Sequence, residues 1–197
     1  MALRAAPGEK YTIRRKILSL FGASFHVYDE TGAVVAFCRQ KAFRLREDIR
    51  LYTDESMSRE LLTMRTRSII DFGATYDVTL PDGELIGSLR RKGLRSFARD
   101  SWRIFGPDGR EVASLAEDST ILALGRRLLS PVALLCPQRF EVRTADGRSV
   151  ATLRTHFNPL VYRLGIAVRA EDPDLDELML LAVGCLIAAI EGRQESS

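Results

Sequence analysis

From Leu178 to Ile190 the chain reads LMLLAVGCLIAAI, thirteen residues without a charge and apolar on every side. A helix with no polar face has to be surrounded, by protein or by lipid. Over those residues it would be about 20 Å long, short of the roughly 30 Å hydrocarbon slab of a bilayer. The expectation is therefore a helix buried inside the protein, enclosed by the short, charged segments that make up the rest of the chain.

Four of those segments repeat one phrase: an alternating strand, a turn with Gly, and a second strand. They are Phe25 to Phe37, Tyr76 to Leu89, Trp102 to Leu115 and Phe140 to Leu153, and three carry Asp-Gly, at Asp82-Gly83, Asp108-Gly109 and Asp146-Gly147. Tight hairpin turns need positive φ, which Gly adopts freely and Asp tolerates. Within the hairpins Tyr76, Val78 and Leu80 alternate with Asp77 and Thr79, the period of a sheet dry on one face. Further strands are expected at Lys41 to Leu45, Ile49 to Tyr52, Leu62 to Arg67 and Tyr162 to Val168. So many antiparallel strands close into a barrel or a sandwich, which protects their edges.

Two segments break the pattern. Ser119 to Leu129 has helical spacing, a capping residue in Asp118 or Ser119 and a stop at Pro131, and predicts a short surface helix near 119–129. The terminal helix is expected to begin near Asp174, where Pro173, Asp174, Asp176 and Glu177 complement the positive end of its dipole. Its small residues Ala182, Gly184, Cys185, Ala188 and Ala189 would let a surrounding wall approach closely.

With 197 residues, 46% of them hydrophobic, the chain fits one domain spanning 1–197 with a substantial core. A formal charge of +3, from 29 basic and 26 acidic residues, falls well short of a dedicated nucleic-acid binder. Cys38, Cys136 and Cys185 form no CxxC pair, and two sit among apolar residues, which favours a reducing, cytoplasmic setting. Arg14-Arg15-Lys16 before Ile17 to Phe21 has the outline of an export signal. The apolar stretch is broken by Ser19, Gly22 and Ser24 and lacks a small-residue cleavage site, so a first β-strand is expected there.

A many-stranded antiparallel meander ending in one all-apolar helix resembles the tubby C-terminal-like fold. Lys41 to Ser56, Arg65 to Gly93 and Asp174 to Arg193 look like its LURP-one-related and phospholipid-scramblase-like branch, and the likeness runs from about Tyr11 to Arg193. The resemblance implies a mainly β fold: a closed antiparallel β-barrel of about 12 strands around the hydrophobic C-terminal helix. It further implies a mostly non-enzymatic domain, in a superfamily that includes phosphoinositide-binding and membrane-associated members.

The leading candidate site is Arg90-Arg91-Lys92-Gly93-Leu94-Arg95, four cations in six residues, where Arg90, Arg91, Lys92 and Arg95 would meet the phosphates of an anionic phospholipid or membrane surface. A solvated strand edge that blocks aggregation explains the same charges. Lys41 with Arg44 and Arg46, and Arg126 with Arg127, are smaller clusters of the same kind. Asp172, Asp174 and Asp176 have the opening spacing of a calcium loop. Glu177 stands where that loop requires Gly and Val183 where it requires a bidentate Glu, so helix capping is the better reading and no metal site is expected.

His26 and His156, the two histidines, lie far apart and near no nucleophile, and no phosphate loop or zinc spacing is present. No enzyme and no cofactor are expected. Trp102 reads as core and Arg103 points to the other side of its strand, against base stacking by this pair, so no nucleic acid is expected. The sequence thus predicts a cytoplasmic binding or scaffold module, peripheral at a membrane or bound to a protein partner, with any ligand on its outer surface. The rival is a scramblase-like protein whose C-terminal helix leaves the barrel and inserts into a bilayer.

Overall fold

The computed structural model describes residues 6–16, 23–40, 48–70, 73–91, 101–117, 138–156 and 161–194. Twelve strands follow in chain order: β1 (Tyr11–Lys16), β2 (Ala23–Asp29), β3 (Val34–Gln40), β4 (Asp48–Tyr52), β5 (Glu60–Ile70), β6 (Gly73–Thr79), β7 (Leu85–Arg91), β8 (Ser101–Phe105), β9 (Glu111–Glu117), β10 (Arg139–Thr144), β11 (Ser149–His156) and β12 (Val161–Val168). Each is antiparallel to its neighbours in sequence, and β1 pairs with β12 to close the barrel. One helix, α1 (Glu177–Gln194), follows. The expected strand over 41–45 and the expected helix over 119–129 lie outside the described residues.

The hairpins form for the reason their sequences give. Gly32, Gly83, Gly109 and Gly147 all have φ between 80° and 92°. In the second hairpin Gly83 N–H donates to the Leu80 carbonyl at 3.0 Å and Leu80 N–H to the Glu84 carbonyl at 2.8 Å. The Asp of each Asp-Gly pair accepts the N–H two residues on, as Asp82 does from Glu84 and Asp108 from Arg110, both at 3.0 Å. The register shifts beside each of these turns, at Val27/Tyr28, Val78/Thr79, Ile104/Phe105 and Val142/Arg143, as a glycine bulge requires. All four turns lie on one rim, with the 53–59 connection and the lead-in to α1.

Eight strands enclose a lumen that their own side chains can fill, and diameter grows with strand number, so twelve leave room for a helix. That helix is α1. Met179 to Ala189 are all buried, together with the inward residues Ile13, Phe25, Val27, Ile49, Leu51, Leu62, Met64, Leu89, Ile104, Leu115, Leu153, Leu164 and Ile166. The helix packs against β1, β12 and β7. A Cβ added to Gly184 would lie 2.7 Å from Ile166 Cδ1 and 2.8 Å from Ile13 Cδ1, so glycine sets the closeness of helix to wall. Cys185 meets Cys38 of β3 thiol to thiol, both fully buried; burial, and then this hydrogen bond, push the Cys38 thiol well above its ordinary value.

The helix starts at Glu177, three residues after the expected Asp174. Of the three aspartates before it, Asp176 is the cap, accepting Met179 N–H at 2.8 Å, while Asp172 instead turns the chain by accepting Asp174 N–H at 3.1 Å.

Gly87 makes the sharpest test of this packing. A Cβ there would stand 2.5 Å from the Phe105 carbonyl oxygen and 2.8 Å from Met179 Cε, and the backbone oxygen cannot yield. Gly87→Ala should destabilise the protein by about 2–3 kcal/mol in urea unfolding. Gly184→Ala meets only the ends of two isoleucines and gains about 1 kcal/mol of helix propensity, so it should lose less. Leu186→Asp, an unpaired carboxylate in the lumen, should abolish soluble folded protein; a melting curve like the parent's would show that α1 is not the core.

Candidate functional surface

Because α1 fills the lumen, the chemistry available to a partner lies on the outer wall and at the two rims. The wall alternates: on β1, Tyr11, Ile13 and Arg15 point inward and Thr12 and Arg14 outward.

The inward residues of β1 hold the helix at its start and again three turns along it. At its start Glu177 accepts hydrogen bonds from Lys10 Nζ and from Tyr11 Oη, the latter at 2.6 Å. Lys10 and then Tyr11 hold the Glu177 carboxyl below the usual glutamate range, while burial, and then Glu177, raise the Tyr11 phenol well above its own. Arg148, from the β10–β11 turn, adds a second hold by bridging Asp146 at 2.7 Å and Asp172 at 2.8 Å. Toward the other end Arg15 is 8% exposed, its guanidinium 5.6 Å over the Phe25 ring and its Nη1 3.5 Å from the Ala188 carbonyl.

Of the four predicted cations, Lys92 and Arg95 lie outside the described residues, as do Lys41, Arg44, Arg46, Arg126 and Arg127. Arg90 and Arg91 end β7 and point to opposite faces. Arg90 is on the outer wall, donating to Thr75 Oγ1 at 3.2 Å with its guanidinium 5.0 Å over Phe105. Arg91 is half-buried on the inner side, 5.9 Å over the ring of Trp102, which is 4% exposed. A strand cannot present both to one flat surface.

The outer wall carries a wider pattern, with charge segregated along the barrel axis. Asp29, Glu30, Asp54, Glu55, Asp82, Glu84, Asp108, Asp146, Asp172 and Asp174 crowd the hairpin rim and outnumber the Lys10, Arg59, Arg110, Arg148 and Arg169 that stand there with them. Arg14, Arg39, Arg65, Arg67, Arg90, Arg103, Arg139, Arg154 and Arg163 stand on the wall toward the opposite rim, with Glu9, Asp48, Glu60, Asp77, Glu111 and Glu141 among the acids that reach the same wall. Part of this basic set is neutralised locally: Arg67 by Asp77 at 2.6 Å and Arg103 by Glu111 at 3.4 Å. Arg14 and Arg154 have no carboxylate within 4 Å among the described residues. The sequence hides this grouping, since these arginines are scattered over eight strands and meet only through register.

Both histidines are outward, and both are bonded rather than idle. His26 packs on Phe37, ring centroids 5.1 Å apart, with Nε2 2.5 Å from Glu55. His156 Nε2 lies 2.5 Å from Glu9 Oε1. Among the described residues no group of three or more His, Cys, Asp and Glu could hold a metal ion.

A closed twelve-stranded antiparallel barrel around an apolar C-terminal helix, with its polar chemistry on the outside, defines the class of β-barrel domain to which the chain belongs. The sequence model of the LURP-one-related family matches residues 9–184, from the strap before β1 to the middle of α1, and the chain belongs to that family. No curated protein matches it.

The clasp yields a pH prediction. A depressed carboxylate contributes stability that is present above its unfolded pKa and lost as pH falls through the folded one; a raised phenol contributes stability lost as pH rises past its ordinary value. Tyr11→Phe should lower stability by about 1 kcal/mol at neutral pH. The gap in melting temperature between parent and Tyr11→Phe should close in acid, as Glu177 protonates, and narrow in strong alkali. A gap constant from acid to alkali would show that Tyr11 acts by packing alone.

Proposed function

We propose that the protein is a non-enzymatic binding module that docks on anionic phospholipid, its basic half toward the headgroups, as a cytoplasmic protein peripheral at the membrane. The observation that carries this reading is the segregation of charge along the barrel axis. An acidic rim and a basic opposite half orient the molecule in the field of an anionic surface before any contact forms. Each Lys or Arg near such a surface contributes about 1 kcal/mol, so a handful suffices for reversible binding without a fitted pocket. Arg90 belongs to this half; Lys92 and Arg95 continue the same chain segment.

Insertion of α1 is the weaker reading. Among the described residues no helix is long and apolar enough to cross a membrane. Extraction would also undo the holds at Glu177 and Ala188 and leave the apolar lining of twelve strands in water. After carbonate and high-salt washes the protein should leave the membrane pellet; retention would favour insertion.

Co-sedimentation with liposomes tests the proposal. Vesicles of phosphatidylcholine with phosphatidylserine or phosphoinositide should retain the parent, less so as salt rises, and pure phosphatidylcholine should not. Gln at Arg90, Arg91, Lys92 and Arg95 together should weaken retention. Arg91→Gln alone is the stability control, because Arg91 packs on Trp102. Equal sedimentation of parent and fourfold variant would remove this segment from the site. No retention of the parent on any acidic vesicle would sink the lipid reading and leave a protein partner in its place.

A further inference from the structure

Gly165 of β12 adopts no conformation that demands glycine, since its φ is not among the positive ones. What demands glycine is space. A Cβ added there would overlap the carboxylate of Glu9, which lies across the outer wall in the notch the missing side chain leaves. Glu9 is nearly covered, its side chain 9% exposed. Its Oε1 meets His156 Nε2 at 2.5 Å, and its Oε2 accepts from Ala6 N–H at 3.2 Å and lies 3.5 Å from Thr12 Oγ1.

The surroundings of this carboxylate are basic by register. Arg154 stands directly across from Gly165 on β11, and Thr12 across from it on β1. One step along the same face His156 pairs with Arg163, and Arg163 with Arg14. Arg139 pairs with Arg154 in turn. Like charges directly opposite each other destabilise a sheet, and two Arg–Arg pairs meet here. The acid laid into this notch is Glu9, with Arg14 and Arg154 on the same outer face of the wall.

The geometry points to an anion site over Gly165, specific for a phosphate group, which the Glu9 side chain occupies in the resting protein. A phosphomonoester carries more charge than a carboxylate and three oxygens for the same hydroxyl, imidazole and backbone donors, with guanidinium forks at its edge. Glu9 can give way without disturbing the fold. The chain beside it stays anchored by Lys10 N–H on the Ile166 carbonyl at 2.8 Å, so only a side chain has to swing out. Glu9 thus acts as a tethered competitor that sets the threshold for the external anion. The site is separate from Arg90 and Arg91 and stands whether or not those residues meet a membrane.

With only two histidines in the chain, the imidazole signals of His156 and His26 in NMR spectra give a local probe and an internal control. Inorganic phosphate, titrated at mildly alkaline pH where the dianion prevails, should shift His156 saturably and leave His26 still. Glu9→Gln should tighten this response roughly tenfold, the size of one charge-assisted contact. Arg154→Gln in the Glu9→Gln background should reverse the gain, and since Arg154 is exposed, folding should be unaffected.

Vesicles identify the source of the phosphate. Glu9→Gln protein retained by phosphatidylcholine vesicles containing a phosphatidylinositol monophosphate, but not by those containing phosphatidylserine, assigns a lipid headgroup; a response to free phosphate without retention assigns a soluble phosphate ester. No saturable His156 shift in Glu9→Gln, or the same affinity with and without Arg154, would overturn the site. Neither result would bear on the Arg90 segment, which is read by sedimentation of the fourfold variant.

Discussion

The barrel and its helix exist only together. Twelve strands close a ring too wide for their own side chains to fill, and an unfilled lumen would forfeit the dispersion and burial that offset the entropy of ordering the chain. The helix in turn has no polar face to show to water. The small residues of α1 reconcile the two: Gly184 against Ile13 and Ile166, and the Cys185 thiol against Cys38, let a helix and a curved wall touch without a gap. This mutual requirement decides where function can lie, because it removes the interior from use.

Strand β1 joins the interior to the exterior. Its inward residues fix α1 at two points, Tyr11 at Glu177 and Arg15 at Ala188, while its outward Thr12 and Arg14 border the notch that Glu9 fills. It is also the strand that closes the barrel, through β12. Closure, plug and the basic outer wall therefore share six residues, and disturbing the seam touches all three.

Much of this was legible in the sequence because the local chemistry is loud. Asp-Gly turns, alternating strands and an uncharged apolar run each have one structural solution. The helix start was misplaced by three residues because three aspartates in alternate positions all look like caps, and only the folded geometry shows that Asp176 alone reaches the Met179 N–H. The pairing of Arg90 with Arg91 as one site neglected the period of two that the same strand displays, which sends one to Thr75 and the other to Trp102. The notch was out of reach. Glu9, Gly165, His156, Arg14 and Arg154 come from separate segments, and their meeting depends on how β1 registers against β12 at the closing seam.

The two poles of charge do not have equal standing. Many acids of the hairpin rim have a local reason to be there: Asp82, Asp108 and Asp146 brace their turns, Asp29 accepts Thr31 and Ala33 N–H at 2.9 Å, and Asp176 caps the helix. Turn and cap chemistry places acids on that rim whatever the protein binds. The outward arginines of the opposite half sit at strand positions where any polar residue would serve the sheet, and Arg14 and Arg154 have no carboxylate within 4 Å among the described residues. Turn chemistry accounts for much of the acidic pole, whereas no turn or cap places Arg14 and Arg154 on the basic one. That asymmetry is the physical reason to look for the ligand among the arginines.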